Sequence, residues 1–173
     1  MQDKVVLRAL RMSDAEGMLE WMHDGKIASY FRTDMMERTI EDVHEFISNA
    51  NENKDSLHYA ICIDDGEYLG TISLKNIDLL NMQAEYAIVL RKGAQGKGIA
   101  YQATKQILDI AFKELNLQRV YLNVLADNKR AISTYTKCGF VFEGTFRQAI
   151  RILGKFRDLS WYSILKDDYI VRG

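Results

Sequence analysis

The stretch Arg91-Lys92-Gly93-Ala94-Gln95-Gly96-Lys97-Gly98-Ile99-Ala100 holds three of the chain's eleven glycines and joins an alternating strand pattern to a long amphipathic helix pattern. Glycine lets backbone N–H groups approach a ligand with no Cβ in the way. A helix that starts here aims its unpaired N–H groups and positive dipole end at the same point. The stretch therefore reads as an anion site, for phosphate above all, or more plainly as a turn between strand and helix. Two familiar phosphate motifs do not fit it. A Walker loop needs Gly-Lys followed by Ser or Thr, and Lys97 is followed by Gly98. A dinucleotide fingerprint needs a third glycine where Tyr101 stands, and no strand at the start of the chain feeds the loop.

Around this loop, 173 residues are enough for one domain with a substantial core, and a single domain over 1–173 is expected. The formal charge is −1, from 23 basic and 24 acidic side chains, so the overall balance favours neither nucleic acid nor an anionic membrane as a partner. No apolar run approaches the roughly 18 residues that span a bilayer. Met1-Gln2-Asp3-Lys4 opens no signal peptide, and a soluble, cytoplasmic protein is expected. Cys62 and Cys138 form neither a disulfide framework nor a metal-ligand spacing. His23, His44 and His58 are scattered, without the spacing that puts two ligands on one helix face, and no metal is expected.

In chain order, Val5 to Leu10 is a strand, and Ser13 with Glu16 predicts a capped helix running to about Met22. Thr39 to Asp42 opens a second helix, with Ile40, Val43, Phe46 and Ile47 on one face. Three strands follow in close succession, 58–63, 68–77 and 82–90, with Asp64-Asp65-Gly66 as a hairpin signal between the first two. From Lys97 to about Leu115, Ile99, Ala103, Ile107 and Ile110 keep helical spacing, so the glycine loop lies at a helix start. Val120 to Leu125 is a fifth strand, parallel to the fourth because a helix crosses between them. Asp127-Asn128 caps a short helix that Gly139 ends, and two long strands, 140–152 and 156–165, finish the chain. The prediction is an α/β (α+β) single domain, a mixed sheet of about seven strands flanked by about four helices.

With both ends of the loop placed, Gln95-Gly96-Lys97-Gly98-Ile99-Ala100 resembles the Gln/Arg-x-x-Gly-x-Gly/Ala signature of the GNAT N-acetyltransferase superfamily. Downstream, Asn123 to Asn128 and Ala131 to Phe140, with Tyr135 and Gly139 inside, are similar to that family's second cofactor element. Phe142 to Arg147 and Gly154 to Asp158 resemble the subgroup of ribosomal-protein alanine acetyltransferases and bacterial spermidine acetyltransferases. Motif-level resemblance covers about Ala84 to Tyr169.

The resemblance implies acetyl-coenzyme A as donor, splayed fourth and fifth strands, and a pantetheine arm bonded like an extra strand to main chain near Ile88, Val89 and Leu90. The N–H groups of Gln95, Gly96, Lys97, Gly98, Ile99 and Ala100 would hold the pyrophosphate. Lys97 is either a charge partner for phosphate or a solvated helix-start residue. Asn123 belongs to the same element, and Asn128 would bond the cofactor arm or serve only as a helix cap. The chemistry is attack of a neutral amine on a thioester, which needs a base, an oxyanion donor and an acid for the leaving sulfur. Tyr135 matches the family's general acid, or else packs on an apolar face. Glu85, the only carboxylate in the fourth-strand pattern, is the candidate base, acting directly or through water; an amine anchor or an exposed charge are its other readings. The oxyanion donor would be a main-chain N–H around Val89.

For the acceptor, Trp21, Tyr30 and Phe31 are core residues or one wall of a substrate cleft. A polyamine, a protein N-terminus and an amino sugar on a nucleotide all suit the machinery. A polyamine would favour an acidic cleft, and Asp14, Glu16, Glu20, Asp24, Asp34, Glu37, Glu41 and Asp42 crowd the first part of the chain, either lining such a cleft or, for many of them, forming solvated helix faces. The rival to an enzyme is a non-catalytic, coenzyme A-binding or interaction module on the same fold. Monomer and homodimer are both open.

Overall fold

The computed structural model describes residues 4–64 and 66–172. Met1 to Asp3 and Asp65, the middle of the hairpin signal, lie outside the described residues. The elements run β1 (Val5–Ala9), α1 (Ala15–Met22), α2 (Gly25–Ala28), α3 (Ile40–Ala50), β2 (Leu57–Ile63), β3 (Tyr68–Asp78) and β4 (Gln83–Leu90). They continue with α4 (Ile99–Asp109), β5 (Arg119–Leu125), α5 (Lys129–Cys138), β6 (Val141–Ile152), β7 (Lys155–Leu165) and α6 (Lys166–Arg172). One seven-stranded sheet has the order β1-β2-β3-β4-β5-β7-β6, with β4 and β5 as its parallel pair. The expected mixed sheet is thus present, with two short helices, α2 and α6, beyond the four expected.

Alternation along the strands divides the buried residues between the two faces. Ile61, Ile72, Leu74, Tyr86, Val120, Leu122 and Ile164 face Ala103, Ile107 and Phe112 of α4 and its continuation. On the other face Ala60 and Cys62 meet Met18, Trp21, Val43 and Ile47 of α1 and α3. The two cysteines are buried on opposite sides of the sheet, Cys138 in the first set and Cys62 in the second. Burying each of the large side chains contributes roughly 1.5–3 kcal/mol. Gly70 is required where β3 meets β4: a Cβ there would stand 2.2 Å from the Val89 carbonyl oxygen.

Two helix starts differ from expectation. A 3-10 turn, Met12–Asp14, precedes α1, and the Ser13–Glu16 cap gives way to Asp14, whose carboxylate accepts the Arg11 N–H at 2.8 Å. The helix after the glycine loop starts at Ile99, because Gly98 is in the left-handed region at φ +74° and ends the turn there. It finishes in a π-helical turn, Ile110–Glu114. By contrast α3 opens as expected, with a reciprocal cap in which Asp42 N–H donates to Thr39 Oγ1 at 3.2 Å and Thr39 N–H to Asp42 Oδ2 at 2.9 Å.

Candidate active site

The site begins as a failure of strand pairing. β4 pairs with β5 only at Gln83–Arg119, Ala84–Val120 and Glu85–Tyr121. Beyond those positions β4 continues against β3 to Leu90, and β5 against β7 to Leu125, so a wedge opens between them. The β5-facing edge of β4 from Tyr86 onward carries main-chain groups without a strand partner, and Ile88, Val89 and Leu90 lie along it.

At the mouth of the wedge stands the glycine loop. Gly96 and Gly98 both take positive φ, +78° and +74°, a conformation that costs an L-residue about 1–2 kcal/mol. Among the described residues, no main-chain acceptor takes the N–H groups of Gly96 to Ala100. Gln95 closes the loop: its Nε2 donates to the Leu90 carbonyl at 3.2 Å, and its Oε1 accepts from Arg130 Nη1 at 3.0 Å. Arg130 is the contact of the glycine loop that sequence reading missed. A signal for it exists, since α5 opens with Lys129-Arg130 and no acidic residue in its first turn, a charge order the helix dipole disfavours unless an anion is present. Asn128 caps α5, accepting the Ala131 N–H at 3.3 Å.

Tyr135 reaches the wedge from α5. Its ring meets Tyr86 edge-on at 5.6 Å and Phe140 at 6.1 Å, and its hydroxyl is unshared among the described residues. Burial, with a smaller contribution from Cys138, pushes the phenol above its ordinary range, so it holds its proton. Burial also pushes the Cys138 thiol up, to about 11, which leaves it a packing residue rather than a nucleophile.

On the opposite face of β4, Glu85 is half-buried and tightly addressed. Asn76 Nδ2 donates to its Oε2 at 2.9 Å, Asn123 Nδ2 to its Oε1 at 3.2 Å, and Lys75 Nζ lies 3.6 Å from Oε1. Asn76 does this from the left-handed region, φ +49°, where the register of β3 on β4 shifts between Lys75 and Asp78. Glu85, Asn123, Ile88 and Val89 line a cleft of about 760 Å3 whose far wall includes Trp21, Tyr30 and Phe31. Trp21 is buried, donates to Tyr68 Oη at 3.0 Å and stacks on Phe31 at 5.3 Å, while Tyr30 is exposed. The structure thus brings Gln95 to Ala100, Arg130 and Tyr135 to one side of the wedge, and Glu85, Asn123 and the three aromatics to the other.

A mixed sheet with a splayed parallel pair, a glycine loop at the start of the crossover helix, and a carboxylate and a phenol flanking the splay define an acyl-coenzyme A transferase site. The GNAT acetyltransferase domain model matches residues 4–141, and the chain belongs to that family. The spermidine N(1)-acetyltransferase of Vibrio cholerae is 29% identical, over 99% of both chains. That of Escherichia coli is 28% identical over 96% of this chain and 88% of its own. The crystal structure of the Vibrio cholerae spermidine N-acetyltransferase with CoA and spermine superposes with a TM-score of 0.88 at 26% identity, covering 96% of this chain and 98% of that one. Among the described residues no helix is long and apolar enough to cross a membrane.

Proposed function

We propose that the chain transfers the acetyl group of acetyl-coenzyme A to a primary amine, with Glu85 as base and Tyr135 as acid. One observation carries this reading: where β4 and β5 part, the consecutive β4 residues Glu85 and Tyr86 face opposite sides of the sheet, Glu85 the cleft and Tyr86 the Tyr135 ring. Acetyl-coenzyme A supplies a thioester that an amine opens with loss of a thiolate. The open N–H groups of Gly96 to Ala100 and the Arg130 guanidinium suit its phosphates, and Lys97 stands in the same loop. The unpaired edge of β4 at Ile88 to Leu90 suits the amide groups of its arm, with a main-chain N–H near Val89 as oxyanion donor. Tyr135 holds a proton for the departing sulfur. Glu85, fixed by two amides and an ammonium, takes a proton from the incoming amine, directly or through water.

In this reading Asn123 acts on Glu85, and Asn128 sets the start of α5. Trp21, Tyr30 and Phe31 wall the acceptor cleft. The enzyme works in the cytoplasm and without metal. The homodimer is favoured over the monomer by β6, an edge strand with Val141, Phe142 and Phe146 exposed. No observation favours the non-catalytic alternative. The test is calorimetric titration of acetyl-coenzyme A combined with thiol release over a panel of amines. Binding with amine-dependent thiol release is expected; absence of binding would overturn the reading.

A further inference from the structure

Of the eight carboxylates that crowd the first part of the chain, Asp42 alone lines the acceptor cleft. The fold engages several of the others. Arg8 forks onto Asp14 with both bonds at 2.8 Å, and Glu20 binds Arg91. Asp24 caps α2, and Asp34 accepts the Met36 N–H at 2.9 Å. Asp42 itself is occupied by the Thr39 cap of α3.

The charges that do line the cleft are Arg32, Arg38 and Lys75 against Asp42 and Glu85. Lys75 is matched to Glu85. Arg32 and Arg38 are exposed, and neither has a carboxylate within ion-pair distance among the described residues, although Arg38 adds to the Thr39 cap in holding the Asp42 carboxyl below its ordinary value. A polycation entering here would meet three cationic side chains and two carboxylates already committed elsewhere. An anion would meet two guanidinium groups with open donors, the side chain best suited to phosphate and carboxylate.

We propose that the acceptor is an amine that also carries anionic groups, its amino end directed to Glu85 and its anion held by Arg32 and Arg38, and that spermidine is a poor substrate. This rests on the acetyltransferase reading above, and it departs from the polyamine named for the relatives. The anion has two sources, the phosphates of a nucleotide-linked amino sugar and the carboxylates of an acidic peptide beginning with a free amine.

The test compares kcat/KM for UDP-glucosamine, the peptide Ala-Asp-Glu-Asp and spermidine, at low and physiological salt, with acetyl-coenzyme A affinity measured on the same samples. At least one anionic amine is expected to exceed spermidine by about tenfold, with the margin shrinking as salt screens the mouth. The better of the two identifies the source. Arg32→Glu with Arg38→Glu is expected to reverse the order at unchanged acetyl-coenzyme A affinity, and Arg32→Lys with Arg38→Lys to keep it. A wild-type preference for spermidine, an order that survives the charge reversal, or turnover of neither anionic amine would overturn the inference. Loss of acetyl-coenzyme A binding by the wild-type protein would instead overturn the reading beneath it, and the inference with it.

Discussion

Toward α4 and α5, β4 presents Tyr86 to a buried aromatic group with Tyr135 and Phe140; toward α1 and α3 it presents Glu85 to Lys75, Asn76 and Asn123. The first side is low in dielectric and offers the phenol nothing that would stabilise its anion. The second surrounds a carboxylate with donors. Neighbouring residues of one strand thus face different surroundings: a buried aromatic group that keeps the Tyr135 phenol protonated on one face, and a carboxylate ringed by donors on the other. The difference also shows which perturbation should strike hardest, since each side can be disabled separately.

Tyr135→Phe removes the proton and little else, because the ring packing is kept. A fall in kcat of about 1000-fold is expected, with acetyl-coenzyme A affinity within about twofold. Steady-state thiol release and calorimetry check both. Because burial pushes the phenol upward, the acid is present at all pH values below its raised value, and the wild-type rate should show no decline assignable to it up to about pH 10. A basic limb near pH 8 that vanishes in Tyr135→Phe would break the contrast between the faces.

Glu85→Gln strikes the other side and should lower kcat/KM for the amine by about 100-fold at neutral pH. Part of that loss should return at alkaline pH, where the amine arrives already neutral. A flat deficit across pH would make Glu85 an anchor for the amine rather than its base. Smaller again is Arg130→Ala, which lies at the mouth of the wedge. It should raise the KM for acetyl-coenzyme A by about tenfold and leave kcat alone, in keeping with about 1.4 kcal/mol for one exposed charge-assisted contact.

The two faces were not equally legible in the sequence. The glycine loop and the parallel β4–β5 pair follow from strand alternation, helical spacing and the crossover between them, whereas Tyr135 was singled out by its match to a family motif. The partners of Glu85 do not, because Asn76 reaches it through a register shift in β3 and Asn123 from a strand nearly forty positions away. Arg130 is legible only once Gln95 is seen to lie 35 positions before it and in contact. The early carboxylates are the plainest case. Their number left an acidic cleft and solvated helix faces both open, and which of them faced solvent, a helix end or an arginine is a property of tertiary pairing. The helices α2 and α6 escaped because four and seven residues give too short a window for helical periodicity.

Asp14 provides the smallest expected effect on turnover and the sharpest control on the comparison. Burial alone would raise its carboxyl, but the Arg8 guanidinium and the Arg11 N–H outweigh burial and hold it below its ordinary value. A depressed folded value means that the stabilisation is fully present above the unfolded value, about 3.9, and is lost as pH falls through the folded one. Asp14→Asn removes the buried carboxylate charge onto which Arg8 forks and should cost about 3 kcal/mol at neutral pH. For a chain of this length that corresponds to a fall in Tm of about 10 °C. As pH falls past the unfolded value and through the depressed folded one, the wild-type carboxyl is itself protonated, so the gap in Tm between the two proteins should close. Turnover at 25 °C and neutral pH should be unchanged, because the pair braces the first strand against the turn before α1 and does not line the cleft. A change in the amine KM of Asp14→Asn would place the boundary between scaffold and acceptor side closer to β1 than the cleft lining puts it. A Tm gap that persists at low pH would assign the stabilisation to hydrogen-bond geometry rather than to charge.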